Sequence, residues 1–238
     1  MLSARSALRR EAPETLAAFL LRMGLRLALV AAIVQTTAHL TNEFLLDDRV
    51  QGLDADLEGT VFTWASSVAT FVVAFAAFLH AAAFEVHRRA FALLAAITLW
   101  FSLDDVAVIH ERLALKLGED VLNLPDYAAV RLWLVLYLPL LLLAGGLLWQ
   151  LAKELGPQMG RALRLGLTLL VASIPVEIIG LVTRRLADDG TEVPENFRVA
   201  AEEGLELSGW IVVAAAMTAT LCSALLRGGQ AREAVVRD

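Results

Sequence analysis

Six stretches of this chain, approximately 25–45, 60–84, 90–109, 129–151, 163–181 and 200–226, stay apolar for about 20 residues each, the length an α-helix needs to cross a bilayer. No other feature restricts the fold as tightly. A backbone in lipid must satisfy its own hydrogen bonds, so such segments become helices. Of the 238 residues, 58% are apolar and 19% charged, with a mean hydropathy of +0.65. Ordinary soluble domains hold about 25% charged residues, so the class expected is all-α: an integral membrane six-helix bundle forming a single transmembrane domain over residues 1–238. The single cysteine, Cys222, rules out an internal disulfide framework. A net charge of −6 without a basic stripe argues against nucleic acid as a partner.

Orientation follows from the bases. With the amino terminus inside, 13 of the 20 lysines and arginines fall on the cytoplasmic side, which predicts cytoplasmic termini in the inner membrane of a bacterium. The acids divide the other way, 20 of 26 lying in outer loops or outer halves of helices. The first span has the basic leader of a signal peptide and a small-residue run at Thr36-Thr37-Ala38, but its leader is long and cleavage is not expected. The fourth span carries no charge between Leu132 and Trp149, and the spacing of Trp133 and Trp149 predicts that both sit at the membrane interfaces, with the helix facing lipid.

Ionisable groups inside spans are the chemistry-bearing signal, because each costs about 2.5 to 3.5 kcal/mol at a helix centre on insertion scales. His39 and Glu43 stand one turn apart in the first helix. The third carries Asp104-Asp105 and then His110-Glu111, the fifth Glu177, and the sixth Glu202, Glu203 and Glu206. All fall in the outer half of their helices under the inferred topology. On a continuous third helix, Asp104 and Glu111 share a face about 10 Å apart along the axis and would point at the bundle centre, with Asp105 and His110 flanking them. Glu202 and Glu206 form a second pair at i and i+4.

Carboxylates and imidazoles converging from several helices are the ingredients of carboxylate-bridged metal sites. The metal set expected is His39, Glu43, Asp104, His110, Glu111, Glu202 and Glu206, holding a divalent ion such as Fe, Zn or Mn. Asp105 or Glu177 would serve as general base if the site activates water or oxygen for a lipid-soluble substrate. Each group also has a plainer role: Glu202 and Glu203 as favourable charges at a helix start, Glu111 as a surface partner of Arg112 or Lys116, His39 as a hydrogen-bonded core histidine. Asp104 and Asp105 have no such role unless an arginine reaches them.

Two further readings use the same residues. A cation or proton transporter would relay charge through His39, Asp104, Asp105 and Glu177, and a non-catalytic subunit or sensor would use the cluster only to hold helices together. Phosphate loops, nucleophile elbows, His-Glu-x-x-His helices and Cys-x-x-Cys pairs are absent, and neither lysine, Lys116 nor Lys153, lies inside a predicted span.

The run Ser102-Leu103-Asp104-Asp105 with His110-Glu111-Arg112, followed by Glu202-Glu203-x-x-Glu206-x-x-Gly209, resembles a pattern of uncharacterised bacterial polytopic membrane proteins. The resemblance covers two helices and implies a multi-span fold in contact with the lipid bilayer, without an activity.

Overall fold

The computed structural model describes residues 2–55, 57, 59–124, 129, 132–186 and 192–235. Among the described residues the chain is all-α, with no strands. The helices are α1 (Leu2–Leu45), α2 (Val61–Ala83), α3 (Arg88–Ala107), α4 (Ile109–Asp120), α5 (Leu132–Glu154), α6 (Pro157–Leu186) and α7 (Glu192–Val235), with a 3₁₀ turn at Gln51–Leu53. All but the short α4 contain a segment long and apolar enough to cross a membrane. Large apolar side chains stand on their outer surfaces, among them Leu29 and Ile33 of α1, Phe71 and Phe78 of α2, and Leu142 of α5. Water would not tolerate so continuous an apolar surface, whereas lipid does.

The chain is a multi-pass membrane protein built around α7. Its apolar window is 67% buried, against 17% for α1 and for α6, so α7 is the axis on which α1, α2 and α6 pack. Small residues let it be approached. A Cβ on Gly166 of α6 would stand 3.0 Å from the Gly209 carbonyl of α7, and one on Gly209 would stand 3.1 Å from the Gly166 carbonyl. This mutual approach is the small-residue packing that membrane helices use where no hydrophobic driving force separates them from lipid. Helices α2 and α3 are joined through reciprocal serine bonds: the Ser67 hydroxyl donates to the Ser102 carbonyl at 2.7 Å, and the Ser102 hydroxyl to the Ser67 carbonyl at 2.9 Å.

Three sequence expectations change here. The first apolar segment spans Thr15–Leu45, longer than the predicted 25–45, and Arg22 and Arg26 are exposed along it. At 1.5 Å per residue, residues 26–45 already cover a hydrocarbon core of about 30 Å, so both arginines reach the interface without entering the bilayer centre. The third predicted span, 90–109, is not one continuous helix: α3 ends at Ala107, Val108 takes a left-handed conformation (φ 54°, ψ 41°), and α4 begins at Ile109. Finally, the fourth span does not face lipid all round: Trp133 packs against His110, whereas Trp149 is exposed.

Candidate functional site

The break at Val108 arranges the polar residues that follow it. With α3 closed off, the Asp104 carboxylate accepts the backbone N–H of His110 at 2.8 Å through one oxygen and pairs with His110 Nδ1 at 2.9 Å through the other. Asp104 is 4% exposed. It therefore caps α4, satisfying a donor that the helix start leaves open, and holds the imidazole at the same time. The Asp104–Glu111 pairing expected from a continuous helix does not form, because the left-handed residue between them removes the seven-residue register. Glu111 lies in the first turn of α4, partly exposed, with no hydrogen bond or ion pair to Asp104.

Helix α5 supplies aromatic walls. His110 meets Trp133 and Tyr137 edge-on, with ring centroids 5.2 and 5.7 Å apart. The Tyr137 hydroxyl accepts from the Trp100 indole at 3.2 Å and lies close enough to feel the Asp104 charge. Beyond His110 stand the carboxylates of α6 and α7. The Trp133 indole of α5 stands near Glu177, and the Trp210 indole one turn along α7 stands near Glu206, each turning a donor toward a carboxylate. Arg198 forms an ion pair with Glu202 one turn along α7. Its charge also acts on Glu177, while Glu177 and Glu206 repel each other and both feel His110. Pro175, two residues before Glu177, lies within α6 without ending it.

Asp104, His110, Glu177, Glu202 and Glu206 thus meet where α3, α4, α5, α6 and α7 converge. Asp105 is partly buried, and its charge reaches Tyr137. Glu203 is partly buried on α7. Among the described residues the charges are unequal: the four carboxylates Asp104, Glu177, Glu202 and Glu206 face one arginine, Arg198, and one histidine, His110. Sequence reasoning missed Trp133, Tyr137, Trp210 and Arg198. Trp210 lies one turn from Glu206, and Arg198 one turn from Glu202, so helical spacing could have found both; Trp133 and Tyr137 act across helices and leave no such mark.

His39 and Glu43 sit elsewhere, at the end of α1 under the loop that follows it. Their neighbour is Asp54, which was not singled out from the sequence. One ligand atom from each of these three residues lies within 4.8 Å of the others, and no other trio of His, Cys, Asp or Glu does so among the described residues. The seven expected metal ligands therefore divide between two places, and Asp104, His110, Glu111, Glu202 and Glu206 do not form a compact ligand set of their own. A third polar spot, His80, is stacked on Phe91 at the opposite end of α2.

A family model described as "Domain of unknown function (DUF8692)" matches residues 15–221. No curated protein and no solved structure matches the chain.

Proposed function

The chain belongs to the DUF8692 family, which brings no activity with it, and from its own geometry we propose that it is a proton-handling transporter of the bacterial inner membrane. Both termini lie in the cytoplasm in this reading, and the converging carboxylates open toward the outer side, as the distribution of basic residues supports. The observation that carries the proposal is the charge imbalance of the cluster. Among the described residues, Glu177 and Glu202 share Arg198, Glu206 feels the His110 ring, and Asp104 is matched with that same histidine. Surplus negative charge in a low-dielectric bundle is costly, and taking up a proton is the simplest way to remove it.

Among the described residues no three of these groups bring ligand atoms within 4.8 Å of one another, so a metal finds no compact ligand set at this place, whereas a proton needs only one carboxylate. A metalloenzyme acting on a lipid-soluble substrate remains the second reading, supported by the separate His39, Glu43 and Asp54 trio.

Proteoliposomes containing the full chain and a trapped pH-sensitive dye test the proposal. An imposed proton gradient should collapse faster than in empty vesicles, and Glu206→Gln, which keeps the shape of a protonated glutamate but cannot release a proton, should reduce that flux at least tenfold. Flux no faster than in empty vesicles, or full flux through Glu206→Gln, would contradict it.

A further inference from the structure

The loop after α1 is built around a buried asparagine. Asn42 donates from its amide to Asp48 at 2.8 Å and accepts the backbone N–H of Val50 at 3.0 Å, while its own carbonyl accepts the Asp48 N–H at 3.0 Å. Asp47 and Asp48 both take left-handed conformations, with φ of 50° and 54°, and so fold the chain back on itself. The 3₁₀ turn Gln51–Leu53 then delivers Asp54 over the end of α1, where it is 7% exposed. The loop therefore brings a carboxylate down onto His39, 15 residues earlier in the sequence.

His39 is 1% exposed, and its hydrogen bonding fixes where its lone pair points. The backbone N–H of Ala55 donates to Nδ1 at 3.1 Å, so Nδ1 acts as an acceptor and the neutral ring carries its proton on Nε2. Nδ1 also lies 3.4 Å from Asp54 Oδ1. The unprotonated Nδ1 and the carboxylate oxygen thus lie side by side, where a cation would take the Nδ1 lone pair in place of the Ala55 N–H, and a carboxylate oxygen of Glu43 completes the triangle within 4.8 Å. Asn196 of α7 donates to Glu43 Oε2 at 3.0 Å, fixing that carboxylate from the far side. The charged groups acting on Glu43 are His39 and two further carboxylates, Asp48 and Asp54. No lysine or arginine is among them.

A second observation points the same way. The Nε2 of His39 is buried with no hydrogen-bond partner, and both amide atoms of Gln35, one turn earlier on α1 and 0% exposed, are likewise unmatched. Buried polar atoms in folded proteins nearly always have partners, and a histidine that ligates a metal through one ring nitrogen commonly donates from the other. Gln35 places an acceptor one turn from that nitrogen, on the same side of the helix.

We infer that His39, Glu43 and Asp54 form a divalent-cation site at the outer end of α1. One imidazole and two carboxylates suit a borderline ion such as Zn²⁺ or Mn²⁺ better than Ca²⁺ or Mg²⁺, which favour all-oxygen sets. With metal–ligand bonds of about 2.1 Å, tetrahedral ligands stand about 3.4 Å apart, which the His39–Asp54 edge already matches. Three protein ligands leave a position for water, the arrangement of sites that react rather than of closed structural ones. The site shares no residue with the carboxylate cluster of α6 and α7, so the two proposals stand or fall separately.

The test uses the full-length protein in detergent, with its purification tag removed, stripped with chelator and dialysed against Zn²⁺. Elemental analysis should find one zinc per chain, and His39→Ala and Glu43→Gln should each weaken binding at least tenfold. Asp54→Asn lies in a loop where misfolding is least expected, and it should show the same loss with an unchanged helical circular dichroism spectrum. Glu206→Gln should bind as the parent does. No zinc in the parent protein, or zinc retained in Asp54→Asn and Glu43→Gln, would overturn the site.

Discussion

Val108 is a small residue with a large effect. A β-branched side chain in the left-handed region costs about 1 to 2 kcal/mol, and here it persists because the helix break lets Asp104 cap α4 and hold His110. Replacing it with glycine removes that cost while keeping the break, so Val108→Gly should raise the thermal midpoint in detergent. Asp104→Ala leaves the His110 N–H and imidazole without their partner and should lower stability by about 1 to 3 kcal/mol, read by the same unfolding measurement. A Val108→Gly variant that unfolds earlier than the parent would show that the break is not strained. The identities of Asp104 and His110 as unusual residues were legible in the sequence, since charges within apolar spans stand out. Their partnership was not, because the helix period pairs positions seven apart and nothing in Val108 announces a left-handed residue. The inward side of Trp133 was hidden for a related reason: its spacing from Trp149 is a feature of one helix, while its contact with His110 is made across helices.

At the level of elements, apolar length revealed the helices and said little about their neighbours. All six long segments have similar hydropathy, so the central place of α7 shows only in its small residues, among them Gly204, Ser208, Gly209 and Ala216, which let other helices close on it. The contact between Gly166 and Gly209 sets the spacing of α6 and α7, and hence the separation of Glu177 from Glu202 and Glu206. A valine at position 166 would meet Val213, whose Cγ2 lies 2.6 Å from the new Cβ, as well as the Gly209 carbonyl. Gly166→Val should therefore lower stability by about 1 to 3 kcal/mol, the usual range for overpacking, and reduce proton flux as well. Loss of stability with unchanged flux would show that the α6–α7 distance does not govern the cluster. The polar site at the end of α1 was legible only in part: His39 and Glu43 share a face by spacing, but Asp54 arrives through a loop whose course depends on Asn42.

Across the whole molecule, the topology expected from the sequence sorts charge along the membrane normal: bases toward one side, acids toward the other and into the helices. The sorting makes a prediction about topology that one cysteine simplifies. In a Cys222→Ala background, Gln51→Cys should react with a membrane-impermeant maleimide on intact cells, while Arg89→Cys should react only after lysis. The reverse pattern would turn the molecule over and place the carboxylate cluster on the cytoplasmic side.

If the carboxylates of α6 and α7 carry a proton as proposed, infrared spectroscopy of the full chain in lipid sees that proton directly. Difference spectra across a pH titration should contain the stretch of a protonated carboxyl group at neutral pH, lost on raising the pH and absent from both Glu177→Gln and Glu206→Gln. A spectrum without that band at neutral pH, or a band that survives both substitutions, would show that these carboxylates hold no proton.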